Sequence, residues 1–482
     1  MALQEHGIII NENEENIPVA SQSESGLTVV FGTAPIHLIE NPESAVNVPI
    51  LCNDITEAKK KLGYSEKFEL YTTCQSMKMN FLEEGVGPLV FVNVLDPVRH
   101  SKDFESKVLK VEKNQSVLTG MDGVLLDSLK IQMDGEDLKK DVDYILSRDD
   151  ESVLITLIGE KADGTEKQIS VSGKQLDPSK VTDLDVIGGY DEDTGKETGI
   201  QLVRQIYPVF GIQSGILIAP GFSHHKTVGH VLEAKCEGIN GCFRAECILD
   251  IDTEHCQKAG DVAEEKANMG YSDKHAYLVW PMAKRDGLLI YGSAVAAATT
   301  MANDMANGNI PNVSPSNKEV KIDAAVLADG TEVRIDFEQT QAVNGAGVAT
   351  FINADGWRLW GNYSAAYPEK NALNVKFWCI RRFFTWHGNN FIRNHLIKID
   401  GVANRRLIDS ICDEENLKSN GYVSSGVCAA VSIDFTEEDN TNETIAAGKY
   451  IFRQKIGVYG PAQTIINNLE YDLDSVRNSL IA

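Results

Sequence analysis

Short apolar runs alternate with stretches of helical periodicity along much of the chain, the pattern of strands separated by helices. Leu27-Thr-Val-Val-Phe-Gly32 reads as a buried strand ending at Thr33-Ala-Pro35. Leu51 to Leu62 contains a helix start at Asp54 or Thr56, with Ala58 and Leu62 on one face. Leu70 to Glu84 reads as a further amphipathic helix, and Pro88 to Val94 as the next strand. The rhythm returns at Gly215. Gly215 to Ala219, Phe243 to Asp250 and His275 to Trp280 read as strands, with helices over Lys226 to Glu237 and Cys256 to Met269 between them. Strands separated by helices in this way imply crossover connections and a parallel sheet covered on both faces.

The stretch from Lys274 to Lys318 completes that unit. It runs through a turn at Asp286-Gly287 and a helix of small residues from Ala294 to Met305, then Asn312-Val-Ser-Pro-Ser-Asn317. It is nearly free of the acids, bases and nucleophiles expected at the centre of an enzyme, which points to a scaffold.

Between these halves the pattern differs. Residues 99 to 199 hold 14 Lys or Arg against 23 Asp or Glu, a balance of 14 − 23 = −9. Turn signals at Asp122-Gly, Asp134-Gly and Asp163-Gly separate short alternating runs such as Ser152 to Ile158, the signature of a small β-rich unit. After Asp355-Gly356 come four of the five tryptophans, at 357, 360, 378 and 386. A helix is expected near Ala403 to Ser419, strands around Val427 to Asp434 and Tyr450 to Tyr459, a further strand candidate at Pro461 to Asp474, and an alternating tail from Val476. The fold class read from this is an α/β core with a parallel-type sheet, an inserted β-rich domain, and an α+β C-terminal domain with extended terminal arms. The expected divisions are an N-terminal arm at 1–22, the core at 23–98 and 200–356, the acidic insertion at 99–199, the C-terminal domain at 357–474 and a C-terminal arm at 475–482.

The N-terminal arm has its own pattern. Ile8, Ile9 and Ile10 form an apolar run followed by the polar Asn11 to Asn16, so a strand on a polar tether can pair with a sheet edge in its own chain or a neighbour's.

Charge and cysteines narrow the class. The net charge of −25 disfavours general binding to nucleic acid or to an anionic membrane. No signal peptide or run of membrane-spanning length is evident, so synthesis in the cytoplasm is expected. Nine scattered cysteines without a Cys-x-x-Cys pair read as buried thiols rather than a disulfide framework. Cys236, Cys242, Cys247 and Cys256 crowd together with His230 and His255, but their gaps are too wide for the usual zinc pairs. No nucleophile elbow, P-loop or dinucleotide fingerprint is present. Asp183, Asp185, Asp191, Glu192 and Asp193 lack the order of a calcium loop. The expectation is no catalytic residue, cofactor or metal. The competing reading is an α/β hydrolase-like or ligand-binding enzyme using the Gly221 to His230 loop, where Ser223, His224 and His225 follow a predicted strand.

One charge feature stands out. Residues 376 to 406 carry seven Lys or Arg against Asp400, a balance of 7 − 1 = +6, interleaved with Phe377, Trp378, Phe383, Phe384 and Trp386. Such rings stack on nucleic acid in some proteins but more often fill a core, leaving the basic face for an acidic protein.

The order of several segments carries a resemblance. His6-Gly-Ile-Ile-Ile10, Asn13, Ile17-Pro-Val19 and Val29-Val-Phe-Gly-Thr-Ala-Pro35 resemble the opening of contractile tail sheath proteins of bacteriophages and R-type bacteriocins. Val48 to Leu51, Leu62-Gly63, Val90 to Val94, Ile216 to Gly221, Ala294 to Asp304, Ser314-Pro-Ser-Asn317, and Trp360-Gly361 before Arg381-Arg382 continue it over most of the chain. The resemblance implies a structural subunit that polymerises as stacked rings around a tail tube and contracts to drive the tube through a cell envelope. It further implies partners in itself, the tail tube protein, and baseplate and terminator proteins, and a final place in a virion tail or released particle. On it, Ile8, Ile9 and Ile10, with Val476, Leu480 and Ile481, are expected as strands added to neighbouring subunits. The C-terminal domain is expected to face the tube, with Arg405, Arg406 and Lys418 as tube-facing charges, while Arg381 and Arg382 are open to a place inside the fold.

Overall fold

The computed structural model describes residues 25–149, 152–192 and 195–481. Its centre is an eight-stranded sheet in the spatial order Pro49–Cys52, Leu89–Asn93, Thr28–Gly32, Ile216–Ile218, Glu246–Asp250, Ala276–Val279, Val348–Asn353 and Trp357–Trp360. The inner six strands run parallel and the two edge strands antiparallel. The parallel core expected from the apolar runs is therefore present, with an antiparallel strand closing each side.

Alternation along each strand explains how both faces are covered. Val29 and Phe31 enter one apolar cluster with Leu217, Cys247, Leu249 and Leu278. Val30, Ile216, Ile248, Tyr277 and Val279 enter the other. Successive side chains of a strand point to opposite faces, so a strand buried on both sides must be apolar throughout, which is why these runs are continuous.

The helix Gly292–Ala306 lies on the second face, and twelve of its residues are buried. Ala294, Ala296, Ala297 and Ala298 let it sit close to the sheet while the helical segment from Thr73 to Glu84 packs on it from outside. That segment departs from the amphipathic helix expected over Leu70 to Glu84. Thr73 to Asn80 are all buried. Two of their polar side chains find partners inside: Thr73 Oγ1 donates to the carbonyl of Thr33 at 2.8 Å, and Gln75 Oε1 accepts from the Tyr291 amide at 2.8 Å. Asp54 caps the helix Ile55–Leu62 by accepting from the Glu57 amide, one of the two starts expected. The Asp286-Gly287 turn joins the strands Met282–Arg285 and Leu288–Ile290, with both residues at positive φ (51° and 81°), the geometry a two-residue hairpin prefers.

Residues 101 to 176 form two small antiparallel sheets around an apolar cluster of their own that includes Val111, Ile131, Val153, Ile155 and Val171. The Asp355-Gly356 turn, taken from sequence as a boundary, is instead the turn of a hairpin. Trp357–Trp360 pairs with Val348–Asn353, so this first part of the tryptophan-rich region belongs to the core sheet.

The remainder is held to the sheet by the helix Trp378–His395. Trp378 stacks on Tyr277 at 4.3 Å, and Thr385 donates to the buried Glu246 at 2.6 Å. Arg382 forms an ion pair with Asp304 at the end of the alanine-rich helix and donates to the carbonyl of Ser25 at 3.2 Å, while Ser25 Oγ donates to the same carboxylate at 2.8 Å. Arg381 and Arg382 thus lie inside the fold. Both charges of the Arg382 pair are almost fully buried, and removing one partner of such a pair leaves the other uncompensated. Asp304→Ala is therefore expected to cost about 3–5 kcal/mol, read as a lower urea midpoint at constant slope; a loss under about 1 kcal/mol would show that the pair is not the clamp described.

Candidate functional site

The C-terminal ends of the central strands are where open α/β sheets hold ligands. Ser223 lies there, fully buried, and its hydroxyl donates to Asp250 Oδ2 at 2.6 Å. His225 pairs instead with Asp183 at 2.7 Å on the surface, and His224 stacks on Tyr291 at 5.2 Å. No serine–histidine pair forms in this loop, so the geometry gives the hydrolase reading no nucleophile with a base in reach.

Asp250 is bonded from three further directions. Ser293 Oγ reaches Oδ2 at 2.6 Å, the Ser293 amide reaches Oδ1 at 2.7 Å, and the Asp250 amide donates to Ser223 Oγ at 3.2 Å. The carboxylate thus sits at the first turn of the alanine-rich helix, where the helix dipole favours negative charge. Complete burial nevertheless dominates and pushes its pKa up to about 6, against the hydrogen bonds from Ser223 and Ser293 that lower it. The arrangement joins a strand to a helix start.

Three of the four crowded cysteines are the buried thiols expected, and Cys242 is not. Cys236, Cys247 and Cys256 are buried and Cys242 is exposed; burial raises the thiol pKa of Cys236 and Cys247, and that of Cys256 to about 12. No group of three or more metal-ligating side chains with suitable geometry occurs among the described residues. No helix among them is long and apolar enough to cross a membrane.

The expected intersubunit strands divide between the two termini. Ile8, Ile9 and Ile10 lie outside the described residues. Val476, Leu480 and Ile481 are described, and they are not in a strand. They belong to the helix Leu473–Ile481, whose side chains are all solvent-facing. The sequence alternation read there also places Val476 and Leu480 four apart, on one helical face. With no partner strand among the described residues, local hydrogen bonding closes the segment as a helix. The strand candidate Pro461 to Asp474 is likewise unpaired. Residues 461 to 472 have no helix or strand, and Ile465, Ile466, Leu469 and Tyr471 are each at least 78 % exposed.

Nearby, Cys428–Asp434 pairs with Arg453–Val458 in a two-stranded antiparallel sheet. Neither strand has a second neighbour among the described residues. Its inner face packs on Phe383, Trp386 and Tyr422, so the rings interleaved with basic residues are core. An isolated two-stranded sheet is marginal in water; here that packing stabilises it.

The helix Arg405–Ser424 begins at Asn404, whose side chain accepts from the Leu407 amide at 3.0 Å. Arg405 is exposed and bonded to Asp409 one turn on, at 2.8 Å. Arg406 is exposed. Lys418 is half-buried and donates to Glu415 at 2.8 Å. Burial alone would raise the Glu415 pKa, but hydrogen bonds from His395 and Lys418 outweigh it and hold the carboxyl at about 2. Lys418 is thus half of an internal pair as well as a surface cation, which separates it from Arg405 and Arg406 on the opening turn.

Known proteins resemble the chain over nearly its full length. It is 23 % identical to the tail sheath protein of Burkholderia phage BcepMu, with 96 % of each chain covered. It is 27 % identical to the tail sheath protein of Escherichia phage P2 over 62 % of this chain and 72 % of that one. Among solved structures, the sheath complex of the PVC extracellular contractile injection system in its contracted state aligns with a TM-score of 0.58 at 14 % identity, covering 98 % of this chain and all of that one. The baseplate of the anti-feeding prophage gives 0.58 at 12 % identity with the same coverage. No family model matches the chain. The mixed α/β fold is shared with these sheath structures, and the likeness to tail sheath proteins read from the ordered motifs holds across the chain.

Asp250 gives a test of the junction. Its folded pKa lies above the usual carboxylate value, so its contribution to stability is fully present below about pH 4 and is lost as pH rises through about 6. A shift of this size corresponds to roughly 3 kcal/mol above pH 6. Asp250→Asn, which carries no charge to bury, is expected to flatten this part of the stability–pH curve between pH 4 and 7, measured by urea unfolding at each pH. An unchanged slope would rule out burial of an ionised Asp250.

Proposed function

We propose that this chain is the structural subunit of a contractile tail sheath, polymerising as stacked rings around a tail tube and contracting to drive the tube through a target envelope. The observation that carries this reading is the similarity to a phage tail sheath protein over 96 % of both chains. The wide, doubly covered sheet supports it physically, since a body that moves as a unit under load needs a continuous packed core.

The finer reading assigns roles to the ends of the chain. Subunits are linked by strands donated from the N-terminal segment and from the C-terminal tail. The open edges of the sheet formed by Cys428–Asp434 and Arg453–Val458 support this, because a strand edge with unpaired amides and carbonyls is a template for another chain. Residues 461 to 472, without helix or strand and with Ile465, Ile466, Leu469 and Tyr471 exposed, support a donor at the C-terminus and move the expected strand upstream of Val476. Each backbone hydrogen bond is worth a net ~0.5–1.5 kcal/mol, so several per arm keep subunits joined while their bodies rotate.

The C-terminal region faces the tube in this reading, with Arg405 and Arg406 as its outward charges and Lys418 a weaker candidate because Glu415 already engages it. Partners are further copies of the chain, the tube protein, and baseplate and terminator proteins; the expected place is the virion tail or a released contractile particle. Residues 101 to 176, with their separate core, form an insertion carried by the sheath body.

Negative-stain microscopy of the purified protein tests the function directly, with hollow tubes expected and a persistent monomer at high concentration counting against it. Deleting residues 1–16 is expected to abolish long polymers while leaving the melting curve unchanged; intact long polymers would remove the N-terminal arm from the linkage. Reversing Arg405 and Arg406 to Glu is expected to reduce assembly on tail tubes, and unchanged assembly would remove these charges from the tube contact.

A further inference from the structure

His275 stands just before the strand Ala276–Val279, 1 % exposed, with a carboxylate at each ring nitrogen. Nδ1 lies 3.0 Å from Glu246 Oε2 on the neighbouring strand, and Nε2 lies 3.0 Å from Glu237 Oε1 just after the helix Lys226–Lys235. An ionised carboxylate offers only acceptors and a neutral imidazole carries a single N–H, so two such contacts at once call for the doubly protonated ring.

Glu246 is also where the helix Trp378–His395 meets the sheet. Its Oε1 accepts from Thr385 at 2.6 Å and has Arg381 Nε at 3.9 Å, too far for a hydrogen bond. Three further charges surround the ring. Asp273 Oδ1 accepts from the His275 amide at 2.7 Å, Lys274 donates to Glu237 at 2.8 Å, and Arg244 faces Arg381.

The two carboxylates differ in what they can do when the ring loses a proton. Glu237 is half exposed and bonded to Lys274, so it can turn to water. Glu246 is 1 % exposed and cannot. It keeps the one remaining N–H, and the positive charge left facing it is that of Arg381, whose buried Nε has no hydrogen-bond partner. A buried carboxylate that loses a charged partner is costly. That cost falls on the seam closed by Thr385 and Arg381.

We propose that His275 is an imidazolium in neutral solution and acts as a latch, released by alkali, that holds the helix Trp378–His395 on the sheet. Burial pulls the His275 pKa down, but the charge of Glu246 and the hydrogen bonds to both carboxylates outweigh it and raise the pKa above its ordinary value. The latch is therefore fully closed below about pH 6.5, the ordinary histidine value, and opens as pH rises through the raised one. In the sheath reading, on which this last step rests, opening loosens the C-terminal region from the body and suppresses assembly.

Nitrogen NMR of the full-length protein labelled at histidine reads the ring directly, in the solid state where the chain polymerises, with the His275 signals identified by their loss in His275→Gln. Both ring nitrogens are expected to carry protons at pH 7, and a neutral ring at that pH overturns the proposal. Acrylamide quenching of tryptophan fluorescence reads the seam, since Trp378 and Trp386 lie on the helix it holds. Quenching of the parent should rise between pH 7 and 10, while His275→Gln should already show the alkaline level at pH 7 and stay flat. A rise of equal size in parent and variant overturns the latch; where the variant does not fold, the NMR measurement on the parent decides. Tubes counted by electron microscopy are expected to be fewer for the parent at pH 9 than at pH 7. If the parent forms no tubes at either pH, the sheath reading fails, and the latch stands or falls on the other two readouts.

Discussion

A parallel sheet can exist in water only if both of its faces are covered, and most of this molecule is arranged to meet that condition. Every central strand sends alternate residues into two apolar clusters, so no strand can turn a polar face to solvent. The alanine-rich helix is the consequence on one face: because helical residues from Thr73 to Asn80 cover it in turn, its own side chains have to be small. The same requirement removes chemistry from the strand ends. Ser223 and Asp250, which in another α/β protein would face a substrate, are spent on each other and on Ser293, joining a strand to a helix start.

A covered sheet of this width makes a stiff body, and the rest is bound to it by buried contacts, the Trp378–Tyr277 stack and a buried ion pair among them. Arg382 reaches Asp304 and the carbonyl of Ser25, so the root of the N-terminal segment, the alanine-rich helix and the tryptophan helix meet at one ion pair. Exposed pairs such as Arg405 with Asp409 are worth far less than a buried one whose loss strands a charge. The distribution suits a sheath subunit: strong fixed links lie within the body, and weaker ones on the exposed start of the helix Arg405–Ser424. Among the described residues the sheet of Cys428–Asp434 and Arg453–Val458 keeps both outer edges unpaired, the backbone that the proposed donated strands would occupy.

The departures from sequence expectation share a cause. The helical segment after Thr73 was expected to be amphipathic, because Gln75, Lys78 and Asn80 look like a solvent face; a second layer of packing buried all three and gave Gln75 and Lys78 partners in Tyr291 and Asp286. The Asp355-Gly356 turn looked like a boundary because tryptophans begin after it, yet strand pairing carried the chain back to the sheet edge. Val476 and Leu480, four apart, satisfy the period of a helix as well as that of a strand, and unpaired with any strand among the described residues they lie in a helix. Lys418 looked like a free cation on a basic helix, although Glu415 stands one turn before it on the same helix; what packing added was the burial of that carboxylate beside His395.

By itself the sequence determined the parallel core, its helices, the separate β-rich stretch and the absence of familiar catalytic motifs, because continuous apolar runs, helical periodicity and turn residues are local properties. The ordered motifs also carried the likeness to tail sheath proteins. The tertiary structure alone decided which polar residues lie inside, that Arg381 and Arg382 belong to the core while Arg405 and Arg406 face outward, and that Ile397 and Val402 stand in water. Those outcomes depend on which elements pack together, and a side chain's partner across a hundred residues leaves no mark on the periodicity around it.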